Sequence, residues 1–391
     1  MKKEDCPFCE IYRKEGQNYC KECGNRVNCS ECKRYLDAGY EYCGNCGSFL
    51  DCPECGTYRA MNETYCGNCG RRLQPAPPEI QYRESSVTDA IGKLSAVVAA
   101  VFLIIAGIAL YVYAADIFSF LASVEGFGLL LLIPYPYVFM TLSGVWVQVY
   151  WIFLLAVISM CFVKVIHEHV KKIKEDKIKG KNASAKKTSL YWIGLMWPST
   201  ILLQMVAIYL VIILFDIELT VPDIDSLGMY ASMFLLADAG VWEELITRVL
   251  IIGVPLFLIA LARNKEKPWS FLLGGKGVDK ISLILVVIAA LVFGYGHESG
   301  WGLAKVIPAF IFGLAAGYLY IEYGLYASIL MHFVNDYLSA IVWLGGSELI
   351  MSLMTIGLLG LGAVTTVVLA LKLWESRKNL KDCPMYSESL K

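Results

Sequence analysis

From residue 91 onward the chain divides into eight apolar runs, at roughly 91–115, 141–165, 190–215, 229–262, 281–297, 302–321, 325–344 and 348–373. A bilayer core about 30 Å thick takes about 20 helical residues at about 1.5 Å each, so each run has the length of a crossing. Lipid offers no hydrogen bonds to the backbone, and a helix meets that demand internally. The expected fold class is therefore an all-α polytopic membrane bundle of about eight transmembrane helices. A 57% hydrophobic share in 391 residues agrees with this. The stretch 116–140 is apolar but broken by Glu125 and by Pro134-Tyr135-Pro136; it is expected to form an outer loop or a re-entrant piece.

Loop charge gives the orientation. Residues 164–187 carry nine lysines, 263–280 carry five Lys or Arg, and the tail after residue 371 carries five. The alternate loops 116–140, 216–228 and 345–347 carry none, and 297–305 carries only Lys305. All basic segments share one side when both termini are cytosolic, so we expect an integral, multi-pass protein with cytosolic N- and C-termini. The first residues, MKKEDCPFC, hold no apolar signal region. The net charge of −1 hides this segregation and says little about partners.

The region before residue 74 is of another kind. Twelve of the 14 cysteines lie there, in a pattern repeated every 23 residues. Cys6, Cys9, Cys20 and Cys23 form C-x2-C-x10-C-x2-C; Cys29, Cys32, Cys43 and Cys46 repeat it, and so do Cys52, Cys55, Cys66 and Cys69. A tyrosine precedes each third cysteine (Tyr19, Tyr42, Tyr65) and a glycine follows each fourth (Gly24, Gly47, Gly70). Four thiolates from two tight turns are what a tetrahedral Zn²⁺ needs, and units this short need metal to fold. A disulfide framework also suits an even cysteine count, but in a reducing cytosol thiols stay reduced. The expectation is three structural zinc sites, in units that resemble tandem zinc ribbons. Their closed coordination points to binding a cytosolic protein partner, with a plain solubility appendage as the alternative. The domain reading is residues 1–73 as three ribbons, 74–90 as a proline-rich linker, 91–375 as the membrane domain and 376–391 as a polar cytosolic tail.

The helix expected over 229–262 contains Glu243, Glu244 and Arg248 among 16 Leu, Ile, Val and Phe residues. Those apolar side chains favour insertion by roughly 0.3–0.6 kcal/mol each, and a central charge costs about 2.5–3.5 kcal/mol. With Asp238 added, the helix is marginal alone and needs partners in the bundle. Glu244 and Arg248 are i,i+4 and suit an ion pair; Glu243 is turned about 100° away and is left to face the interior. These three residues alone fit a structural ion network equally well. Two of the four histidines, His297 and His332, also lie in apolar runs, and Asp336 is i+4 to His332. Together they form a candidate catalytic set. By contrast, His167 and His169 lie in a charged helix extension, Cys161 reads as packing, and Cys383 in the tail is a weak lipidation candidate.

Glu243-Glu244-x-x-x-Arg248, Phe293-x-x-x-His297 and His332-x-x-x-Asp336 resemble, in order and on separate helices, the three motifs of the CPBP family of CAAX-protease and bacteriocin-processing intramembrane endopeptidases. That resemblance covers residues 243–336. It implies that Glu243 with His297 activates a water for attack on a peptide carbonyl, that Glu244 and Arg248 hold the first helix in place, and that His332 with Asp336 stabilises the oxyanion. The family often has Asn at the last position, whereas Asp336 donates only when protonated. No Ser, Cys or Thr is placed as a nucleophile, so direct water attack fits the residues.

The expected activity is hydrolysis of a membrane-associated peptide or protein, with no cofactor in the catalytic site and the lipid bilayer as the other partner. Nothing points to nucleic acid. Two other readings are a zinc-dependent metalloprotease using His297, His332 and a carboxylate, and a membrane scaffold whose ribbons recruit cytosolic proteins without proteolysis.

Overall fold

The computed structural model describes residues 86–131, 136–179, 187–217, 220, 227–265 and 267–381, with six isolated positions nearer the N-terminus. The chain divides into two units, Met1–Arg83 and Glu84–Lys391. The twelve ribbon cysteines and Cys383 lie outside the described residues, so the expected zinc sites and the lipidation candidate do too.

The second unit is helical. In chain order its elements are α1 (Ser86–Val112), α2 (Ala114–Leu121), β1 (Phe127–Leu131), β2 (Tyr137–Leu142), α3 (Val145–Lys179), α4 (Ser189–Phe215), α5 (Met229–Ala262), α6 (Lys280–Gly296), α7 (Glu298–Trp301), α8 (Val306–Glu322), α9 (Leu325–Asp336), α10 (Ala340–Trp343) and α11 (Glu348–Lys381). Eight stretches among the described residues are long and apolar enough to cross a membrane. They coincide with the eight expected runs. Rows of half-exposed aliphatic side chains, such as Val97, Ile104, Ile213 and Val367, suit a lipid-facing surface.

The ambiguous stretch resolves into α2 followed by an antiparallel hairpin, with a bulge between Leu129 and Leu130. Its second strand exposes Tyr137, Val138, Phe139 and Met140, an apolar rather than a solvated surface.

Hydrogen bonds sort the ends of the helices into two faces. At one, Lys187 pairs with Asp89 at the start of α1, and Ser189 N and Tyr326 Oη bond Glu168 at 3.0 and 2.9 Å. There Tyr323 Oη donates to Lys187 O at 2.9 Å, while Gly275 N and Leu325 N bond Tyr320 O and Leu273 O, each at 2.9 Å. This face therefore unites the basic segment around 164–187 with that at 263–280. At the other face, Tyr113 Oη donates to Trp343 O at 2.7 Å, Trp151 Nε1 to Ala114 O at 3.0 Å and Tyr337 Oη to Met233 O at 2.6 Å. The hairpin belongs to this second face, because Trp242 Nε1 donates to Leu130 O at 2.7 Å.

Local signals explain the ends of the elements that position the site. Asp279 and Ser282 form a reciprocal capping box at the start of α6, satisfying donors that would otherwise stay unpaired. Gly294, near its other end, lies so close to α8 that an added Cβ would sit 2.7 Å from Val306 O. Only glycine permits that approach.

Candidate active site

The candidate residues come from three helices. In α5 the sequence expectation of a regular α-helix fails locally: Ala239–Glu243 and Leu245–Gly253 are π-helical. Such wide turns are rare and often mark functional sites. Thr247 Oγ1 donates to Glu243 O at 2.6 Å, giving one carbonyl of the widened stretch a side-chain partner.

Glu244 and Arg248 are fully buried. Arg248 Nε meets Glu244 Oε2 at 2.9 Å and Nη2 meets Oε1 at 3.3 Å, a two-point pair of the kind that stabilises buried charge. Glu244 Oε1 also receives His332 Nδ1 at 3.1 Å. The carboxylate expected only to anchor its own helix thus also holds a histidine of α9. Phe293 packs among these groups: its ring centroid is 5.4 Å from Arg248 Cζ, 4.6 Å from the His297 ring and 5.8 Å from the His332 ring. Phe312 closes the other side of His332 at 5.0 Å.

Both imidazoles are oriented through Nδ1. His297 Nδ1 donates to Phe293 O at 2.8 Å, and His332 Nδ1 is directed at Glu244. Each Nε2 therefore faces inward, toward the same atom. Glu243 Oε2 lies 3.8 Å from His297 Nε2 and 3.9 Å from His332 Nε2, too far for direct hydrogen bonds. Glu243 Oε2 is buried and has no hydrogen-bond partner. Leaving a buried acceptor unsatisfied is costly, so this atom is aimed at something the bundle itself does not supply.

Asp336 completes the set, with Oδ2 3.3 Å from His332 Nε2. Asn335 Nδ2 donates to Asp336 Oδ1 at 3.2 Å, so this neighbour supports the aspartate rather than replacing it. The contact between His332 and Asp336 is attractive only when one proton lies between them, on the ring or on the carboxyl.

Exposure grades across the site. Arg248 and Glu244 side chains are 0% exposed, whereas Glu243 is 24% and His297 and Asp336 are each 15% exposed. Among the described residues, no group of three His, Cys, Asp or Glu is arranged to hold a metal ion.

Two neighbours that the sequence reading counted only as charges stand beside the site. Asp238, one turn before the glutamates, accepts from Tyr150 Oη of α3 at 2.5 Å. Lys305, in the short turn before α8, lies with its ammonium 4.7 Å over the Trp301 ring and within electrostatic reach of Asp336 and Glu243. The available signal for Lys305 was its isolation as the one basic residue in loops otherwise free of them. His167 and His169 are exposed on the α3 extension and Cys161 is buried in the core.

Residues 225–338 match the family described as Type II CAAX prenyl endopeptidase Rce1-like. Residues 6–47, and again 29–70, match the double zinc ribbon. Among curated proteins and among solved structures, nothing matches the chain. The chain therefore carries a segment similar to the Rce1-like endopeptidases at 225–338 and segments similar to the double zinc ribbon before residue 71, in an integral, multi-pass membrane protein.

Proposed function

We propose that this chain, carrying an Rce1-like endopeptidase domain, is an intramembrane protease in which Glu243 and His297 activate a water molecule. The observation that supports it best is the buried, unpartnered Glu243 Oε2 between two inward-facing imidazole nitrogens. Separations of 3.8 and 3.9 Å let one small oxygen reach hydrogen-bonding distance of all three groups. In the reaction that follows, the water oxygen bonds to the carbonyl carbon of the substrate while its proton passes to Glu243. The carbonyl oxygen takes up the negative charge and is held by the proton that His332 and Asp336 share. Glu243 returns the proton to the amide nitrogen as the C–N bond breaks, leaving a carboxyl end and a free amine.

Glu244 acts through His332 rather than on the substrate. Its carboxylate fixes which ring nitrogen points inward, and Arg248 keeps that carboxylate charged and in place. The ribbon head, with three zinc sites, would serve cytosolic recruitment or regulation and take no part in the hydrolysis.

The decisive experiment compares membranes of cells carrying the wild type with those carrying Glu243→Gln, reading newly formed peptide termini by proteomics. The reading expects at least one membrane-associated precursor to accumulate uncleaved. Identical termini in both strains, with both proteins folded, would remove the protease assignment in favour of a scaffold.

A further inference from the structure

We infer that the hydrogen bond from Tyr150 of α3 to Asp238 of α5 is a positioning clamp, which fixes the register of the π-helical turn and so sets where Glu243 stands. This rests on the protease reading for the role of Glu243; the clamp itself stands on contacts.

The need for a clamp follows from how Glu243 is held. Its Oε2 accepts no hydrogen bond, and at 3.8 and 3.9 Å the two imidazole nitrogens do not tether it. Its place must therefore come from the backbone that carries it. That backbone is π-helical from Ala239 to Glu243. A π turn closes over five residues where an α turn closes over four. Tightening it would shift every following residue by one position, about 100° around the axis.

Both ends of the turn are fastened from other elements. At its end, Glu244 receives His332 Nδ1 of α9 at 3.1 Å. At its start, Asp238 is the residue before Ala239, and its Oδ1 accepts from Tyr150 Oη at 2.5 Å. Phe234, Asp238 and Trp242 recur every four residues, and all three meet Tyr150. The two rings stand edge-on to it, with centroids at 6.4 and 6.5 Å. Tyr150 is only 8% exposed and stacks on Phe127 of β1 and on Phe153, so its hydroxyl is delivered at a fixed point. Trp242, next to Glu243, is itself tied to Leu130 O at 2.7 Å.

A buried tyrosine hydroxyl needs an acceptor, and a backbone carbonyl would serve, as it does for Tyr113 and Tyr337. An ionisable side chain inside a span is costly and usually tied to function. Asp238 stands at the position where the register of α5 changes, which gives its carboxylate a task a carbonyl could not perform.

The test uses the full-length protein in detergent and a quenched fluorescent peptide spanning a cleavage site found in the Glu243→Gln comparison. Tyr150→Phe keeps the ring and removes the donor. A misplacement of about 1 Å can cost about 10²-fold, so kcat should fall roughly 10- to 100-fold with KM within about twofold. Asp238→Ala should fall equally and the double variant no further, because each loses the same bond. Asp238→Asn keeps an acceptor and should retain most of the activity. Tyr323→Phe removes a tie at the other face and should leave kcat unchanged. Hydrogen exchange, read by mass spectrometry on peptides covering 239–253, should quicken in Tyr150→Phe and Asp238→Ala while the rest of the bundle matches wild type. Wild-type kcat in Tyr150→Phe, or a change confined to KM, would overturn the clamp. So would additive losses in the double variant, or an asparagine variant as slow as the alanine variant. If Tyr150→Phe does not fold, Asp238→Ala against Asp238→Asn decides the same question. If the wild type cleaves no peptide, the protease reading fails and exchange alone decides: unchanged exchange at 239–253 overturns the clamp.

Discussion

His332 Nδ1 sits 3.1 Å from Glu244 Oε1, the oxygen that also receives Arg248 Nη2 at 3.3 Å. One carboxylate thus ties α9 to α5 while neutralising a buried guanidinium. Removing either charged member strands the other, at about 3–5 kcal/mol for a buried pair. Arg248→Ala and Glu244→Gln are expected to lower both the folded yield and the thermal midpoint in detergent. Arg248→Ala should be the more damaging, because three carboxylates, those of Glu243, Glu244 and Asp336, then remain near His332 without the guanidinium. Midpoints equal to wild type for both variants would show that the pair contributes nothing to the bundle.

Glu243 should behave in the opposite way. Its Oε2 makes no hydrogen bond in the folded protein, so Glu243→Gln breaks none there and removes an unsatisfied buried acceptor. The expected result is a thermal midpoint at or above that of wild type, with turnover abolished. Parallel loss of fold and activity would return Glu243 to a structural role.

The contrast between these two neighbours shows how far the sequence carried. The i,i+4 spacing alone made the pairing of Glu244 with Arg248 legible, and eight apolar runs made the bundle legible, because both follow from chain geometry along one helix. The His332–Glu244 bond was not legible, since it depends on where α9 packs and on the widened turns of α5. A 100° step cannot describe a π-helical stretch. The hairpin at 127–142 was hidden for another reason: an apolar run with a Pro-Tyr-Pro interruption carries no strict alternation to distinguish strand from loop. Lys305 was read only as a loop charge, because the positive-inside argument treats a lone outer lysine as noise.

Lys305 is expected to act as a positioning residue, its charge reaching Asp336 and Glu243 without an ion-pair contact. Two unit charges about 4 Å apart interact by about 4 kcal/mol at an effective dielectric of about 20, and the energy falls as the separation grows. Lys305→Gln should therefore lower kcat by roughly tenfold, with little change in KM. Lys305→Arg should restore most of it, since the charge is kept. A change confined to KM, or no rescue by arginine, would assign Lys305 to substrate binding or packing instead.

The ribbon head should be separable from the chemistry. Metal analysis of the isolated head is expected to give three Zn²⁺, one lost with replacement of each of Cys6, Cys29 and Cys52. Deleting residues 1–73 and adding a chelator should leave cleavage of a short peptide intact, because the proposed site uses carboxylates and imidazoles directly. Loss of activity with chelator in the head-deleted protein would instead point to a metal held by His297, His332 and a carboxylate.

Asp336 is where the chain departs from the commoner asparagine, and its geometry makes the substitution informative. Its Oδ2 faces His332 Nε2 at 3.3 Å and its Oδ1 accepts from Asn335 at 3.2 Å. If the shared proton sits on the ring, an amide oxygen at position 336 can accept it; if it sits on the carboxyl, an amide N–H can replace it. Asp336→Asn can therefore keep His332 oriented in either case and still offer a donor to the oxyanion. Activity is expected to survive in Asp336→Asn. Asp336→Ala, which supplies neither group, should lose about 10²–10³ in turnover, the usual cost of one oxyanion donor. Single-turnover rates on one peptide for the three forms would decide it. If the asparagine variant is as inactive as the alanine variant, the negative charge itself is required, and Asp336 then acts by holding a protonated His332 rather than by donating to the substrate.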